Sequence, residues 1–222
     1  MRAAIPAVLA LAAALAGCSS DDDDQTAVAE PTTASSPTAT ASGPAMIDGK
    51  LLLWPRPDDT LDRTADAGLT AEDREHLAYH VHAHLDIFVD GQPVLVPAGI
   101  GINIADPGVK TFTDGGRTGY GGITGCGQPC ISPLHTHDPD GILHTEAESN
   151  HPNTLGEFFT EWGIVLSSDC IADRCGGVHA YLDGQEFSGD LTTIELTDQR
   201  EIALVVGTPP ADIPSRADFS FA

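Results

Sequence analysis

The sequence predicts an α+β fold, a mixed β-sheet packed on one main helix, interrupted by a long Gly/Cys-rich insertion. Three observations predict it. Residues 80–89 (HVHAHLDIFV) read as a strand and run into Asp90-Gly91 before a second apolar run, a strong hairpin signal. Thr154-Leu-Gly-Glu157 is a capping box, with Leu155, Phe158, Phe159 and Trp162 at helical spacing behind it. Further strand patterns follow that helix, so hairpin, strand, helix and strands succeed one another.

Taken in order, residues 1–17 (MRAAIPAVLALAAALAG) place Arg2 before an apolar run closed by small residues. That is the layout of a secretory signal, and the run falls short of the roughly 20 residues a membrane-spanning helix needs. Leu15-Ala16-Gly17-Cys18 resembles the lipobox of bacterial lipoproteins. The resemblance covers the signal region alone. It implies cleavage before Cys18, lipidation of that Cys, and anchoring at the extracytoplasmic face of a membrane, where two or more acyl chains give stable attachment. Residues 18–45 then supply the lipidated Cys and a Ser/Thr/Ala/Pro/Asp stretch. It holds too few large apolar residues to bury a core and reads as a disordered tether.

Residues 46–222 read as one globular, histidine-rich domain. Residues 48–54 (DGKLLLW) suggest a strand, and Thr70 caps a short helix running toward Ala78. The strand over 80–89 pairs with 92–98. Residues 105–133 are rich in Gly, Asp, Pro and Thr and read as an irregular insertion; loops of that length are usually functional. Residues 141–146 (GILHTE) form a strand, and Gly163 closes the main helix. Strands follow at 164–167, at 178–182, and at 194–196 with 201–206. The order looks like a β-grasp arrangement over roughly 80–206; a β-sandwich with a helical crossover is the alternative.

The chain carries 10 Lys+Arg against 33 Asp+Glu, a formal net charge of −23. Removing Arg2 makes it more negative still. Such a surface repels nucleic acid and attracts cations. Apart from Cys18 there are Cys126, Cys130, Cys170 and Cys175, an even set that suggests disulfides in an exported protein. Three pairings are open. The local one, 126–130 with 170–175, is favoured because both pairs lie in Gly-rich loops.

The chemistry lies in the histidines. His80, His82 and His84 alternate along one strand and so share a face. They span about 13 Å, so one ion can take neighbours in the row but not both ends. His135 and His137 form a second His-x-His pair, and His144 lies in the strand that follows, with Glu146 on its face. Neutral imidazole is a common metal ligand. The expected ligands are therefore His82, His84, His135, His137 and His144, with Asp86, Asp138 and Glu146 orienting them from behind. Asp138 also opens the turn signal Asp-Pro-Asp-Gly. Imidazole ligands suit Cu(II) and Zn(II). Met46 is the lone methionine after the signal, which argues against thioether Cu(I) sites.

These residues suggest a cell-surface lipoprotein that captures, buffers or delivers a divalent transition metal. A zinc- or copper-dependent enzyme with a three-His site, or an interaction protein with structural histidines, are the alternatives. No His-Glu-x-x-His helix, Gly-x-Ser-x-Gly elbow, phosphate loop or dinucleotide fingerprint is present.

Overall fold

The computed structural model of the chain describes residues 44–219. The signal segment, Cys18 and nearly all of the tether lie outside them. Among the described residues no helix is long and apolar enough to cross a membrane.

β1 (Ala45–Ile47) and β2 (Lys50–Leu52) form a hairpin where the sequence suggests one strand. Its turn is Asp48-Gly49, both at positive φ, the conformation that selects Asp-Gly. α1 (Thr60–Asp66) follows. β3 (Tyr79–Val89) turns at Asp90-Gly91 into β4 (Gln92–Val94). The insertion contains β5 (Lys110–Asp114) and β6 (Arg117–Gly121), a separate antiparallel ribbon. β7 (Leu134–His135), β8 (Ile142–Ala147) and α2 (Leu155–Trp162) come next. β9 (Cys170–Ile171), β10 (Arg174–Cys175), β11 (Val178–Leu182), β12 (Gln185–Phe187) and β13 (Arg200–Val206) complete the order.

β3 organises the main nine-stranded sheet. β13 runs parallel to it along residues 83–89. The other edge is shared: β8 pairs antiparallel with residues 79–84, and β4 takes residues 87–89. β7 extends the sheet beyond β8, and β11 and β12 extend it beyond β13. The sheet is thus mixed, and the class is α+β.

Alternation divides the sheet chemically. On one face Ala83, Leu85 and Ile87 join Ile202, Leu204, Val206 and Leu143 in a buried cluster with Leu155, Phe158, Phe159 and Trp162 of α2. The helix is fixed at both ends as the sequence suggests. Thr154 and Glu157 form a reciprocal capping box, and Gly163 closes the helix at φ 77°. On the opposite face β3 presents His80, His82, His84, Asp86 and Phe88.

Four expectations are corrected. Residues 70–78 form no helix; their backbone instead bonds the insertion, Glu72 N–H to Ile131 O and Glu75 N–H to Ile123 O, with Cys130 N–H returning to Glu72 O. The helix lies earlier, at α1, where the buried positions are Thr60 and Thr64 and leave no apolar stripe to read. The insertion is not structureless: besides its ribbon it buries Val109, Ile123, Cys130 and Ile131, with Ile102 from just before it, in a small separate core. Residues 164–167 and 194–196 make only isolated bridges, through Leu166 and Glu195. Cys126 pairs with Cys130 and Cys170 with Cys175, the local arrangement.

Candidate metal centre

Strand register gathers the histidines. His82 on β3 faces His144 on β8, and His144 faces His135 on β7, so three imidazoles lie in a row across three strands. His80 faces Glu146 in the adjacent pair. His137 follows β7 and folds back. Ring centroids are 4.5 Å apart for His82–His144, 4.6 Å for His135–His137 and 4.6 Å for His137–His144. His80 lies 4.5 Å from His82. Glycines let the insertion close on this row. At Gly101 (φ 73°) a Cβ would collide with the Leu134 carbonyl, and at Gly121 one would press on the His137 ring.

Backbone carbonyls fix two of the rings. His135 Nδ1–H donates to Ser132 O at 2.9 Å, and His137 Nδ1–H donates to Tyr120 O. In neutral imidazole the other nitrogen then carries a lone pair. The two Nε2 atoms face each other at 3.2 Å. Burial holds the fully enclosed His135 well below the ordinary imidazole range, and the His137 charge lowers it further. Burial does the same to His144, again with His137 adding, and it lowers His82, with His80 adding. Glu146 is almost wholly buried. Its Oε1 lies 3.2 Å from His80 Nε2, 3.7 Å from His144 Nδ1 and 3.9 Å from His135 Nε2. Donor atoms of His135, His137, His144 and Glu146 all lie within 4.8 Å of one another, as do those of His80, His82 and His144. Nδ1 of His144, Nε2 of His82 and Oε2 of Glu146 are buried without a hydrogen-bond partner.

The structure thus brings together His82, His135, His137 and His144 of the expected ligands, and sets His84 apart. His84 bonds Glu201 Oε2 through Nδ1 and the Asp140 carbonyl through Nε2, both at 3.0 Å. Burial pulls its pKa down, but the Glu201 hydrogen bond and the charges of Glu201 and Asp86 outweigh that and leave it raised. His84, Asp86 and Glu201 are also close enough to form a donor set, yet both nitrogens of His84 are already engaged. Asp86 attends His84, at 3.8 Å, rather than the row. Glu146 stands among the candidate ligands instead of behind them. Asp140 caps the turn by accepting from Ile142 N–H, while Asp138 lines the cavity above the row. Burial pushes Asp138 up, and Asp140 adds to this.

Glu75 belongs to the site without any signal in the sequence. Its Oε1 lies 3.8 Å from His137 Nε2, and burial followed by the Glu146 charge raises its pKa. The cavity there is about 350 Å³ and is also lined by His80, His137, His144 and Glu146. The four cysteines among the described residues are paired in disulfides and offer no thiolate. His76 sits 2.9 Å from Glu72, and His179 pairs loosely with Glu186, both away from the row.

Replacing His84 with alanine is expected to cost about 2 kcal/mol, because it leaves the fully buried Glu201 carboxyl without its hydrogen-bond partner. Urea midpoints measure this. Metal stoichiometry, measured on the same variant, should be unchanged.

No protein-family model, no curated protein and no solved structure matches this chain.

Proposed function

We propose that the folded domain binds a divalent transition ion, Cu²⁺ or Zn²⁺, through His135, His137, His144 and Glu146, and that the chain carries it at the extracytoplasmic face of a membrane from a lipidated Cys18. One observation carries the metal reading. The carbonyls of Ser132 and Tyr120 use the Nδ1 protons of His135 and His137, and leave two lone pairs opposed at 3.2 Å in a partly buried place. Opposed lone pairs repel unless a cation lies between them. Ligands around a tetrahedral ion with bonds of about 2.0–2.1 Å stand roughly 3.3 Å apart, which matches this separation. Glu146 supplies a negative charge on the same donor set.

The donor chemistry favours Cu²⁺ or Zn²⁺. Imidazole and carboxylate suit both, and the soft thiolate or thioether ligands that select Cu(I) are lacking from the set. Capture, buffering or delivery of the ion is the role this supports. The cavity opening on His137, His144 and Glu146 favours a second reading, a metal centre with an open position for water or substrate. X-ray absorption on the loaded protein separates them: four protein ligands favour carriage, three and a water favour catalysis.

Titrating the demetallated protein with Zn²⁺ and Cu²⁺ tests the reading directly. Stoichiometric uptake is expected, and a chain that takes up neither ion refutes it. For the anchor, a host fed labelled fatty acid should label the wild-type chain and not Cys18→Ser, which should appear in the soluble fraction. Equal labelling of both would remove the anchor from the proposal.

A further inference from the structure

We propose that the row holds two divalent ions side by side, with His144 and Glu146 at their boundary. This rests on the metal-binding reading above and deepens it. The donors fall into two sets, His135, His137, His144 and Glu146, and His80, His82 and His144, each within 4.8 Å; the sets meet at His144. One ion cannot gather both. Ligand atoms of a single ion lie within about 4.2 Å of one another, twice a bond of about 2.1 Å. His82 on β3 and His135 on β7 are separated by the whole of β8, and the donor atoms of His80 and His82 do not join those of His135 and His137 in one set within 4.8 Å.

Occupation of the first set alone leaves the other unsatisfied. His82 Nε2 is buried and lacks a hydrogen-bond partner. Glu146 Oε1 is 3.2 Å from His80 Nε2 in one set and 3.9 Å from His135 Nε2 in the other, so the carboxylate lies between them. Carboxylates with two oxygens and imidazoles with two nitrogens are the side chains able to serve two ions at once. A pair of dications also needs negative charge nearby. Glu75, Asp138 and Asp140 line the same cavity and supply it. The first ion is held mainly by His135 and His137, the second by His80 and His82.

Stoichiometry of the full chain decides the matter. The probes are Zn²⁺, counted by elemental analysis after gel filtration, and Cu²⁺, counted by electron paramagnetic resonance. Two equivalents are expected in the wild type, with the second Cu²⁺ broadening or attenuating the signal of the first. His80→Asn with His82→Asn should bind one equivalent with an isolated Cu²⁺ spectrum, and His80→Asn alone should weaken only the second step. One equivalent in the wild type overturns the pair while leaving the metal-binding reading intact. Two equivalents that survive both variants place the second ion elsewhere and overturn it. No uptake at all removes both proposals.

Discussion

Replacing His137 with alanine is expected to abolish most of the stabilisation that Zn²⁺ or Cu²⁺ gives the folded chain. An ion that binds the native state alone stabilises it by about 4 kcal/mol at a thousandfold excess over its Kd. For a domain of this size each kcal/mol moves Tm by about 2–4 °C, so wild-type protein should melt roughly 10 °C higher with metal than with chelator. His137 provides one of the two opposed Nε2 atoms, and its ring is held by the Tyr120 carbonyl. Losing only an outer partner of a ligand commonly costs 10–100-fold in affinity, so losing the ligand should cost at least about 100-fold. The metal-dependent shift should shrink accordingly, while the melting point in chelator changes little. The same metal-dependent shift in both proteins would refute the assignment of His137. The pH dependence has a definite sign. His135 and His144 are held below the ordinary range by burial, so protons compete weakly. Uptake should therefore weaken as pH falls, where those rings charge.

The histidine row was legible because two rules suffice for it. Alternation along residues 80–84 gives a shared face, and His135-x-His137 with His144 gives donors for a neighbouring strand. What alternation cannot say is which partner lies opposite each residue. Register decides that. β8 puts His144 opposite His82 and Glu146 opposite His80, so His80 enters the cluster. β13 arrives from the far end of the chain and puts Glu201 beside His84, which engages that histidine in a buried hydrogen-bonded pair. Glu75 was invisible for a related reason. It reaches His137 because residues 72–75 bond the insertion, a contact between segments that no local pattern encodes. The missed helix α1 has a different cause: its buried face is made of threonines, so the hydrophobic period that marks most helices is absent.

Those threonines lead to the largest expected pH effect in the fold. Glu161 sits on α2 with no exposure to solvent. Thr64 Oγ1 lies 2.8 Å from Glu161 Oε1 and 3.1 Å from the Thr60 carbonyl. A hydroxyl has one proton. If Thr64 donates to Thr60 O, a neutral Glu161 can donate to Thr64 Oγ1, and each proton has an acceptor. Burial pushes the Glu161 pKa from 4.5 to about 8, the hydrogen bonds of Ser132 and Thr64 opposing this only in part. Between those values the folded chain holds a proton that the unfolded chain has lost. The stabilisation from this group is therefore complete below about pH 4.5 and disappears as pH rises through about 8. At 1.36 kcal/mol per unit the change is on the order of 5 kcal/mol. Glu161→Gln keeps the shape and an N–H donor but cannot ionise. In chelator, urea midpoints of the two proteins should be similar at pH 5 and diverge toward pH 9, with the variant the more stable by several kcal/mol. Every other titrating group is common to both chains, so the difference between their profiles isolates Glu161. Parallel profiles from pH 5 to 9 would mean that Glu161 is ionised in the native state.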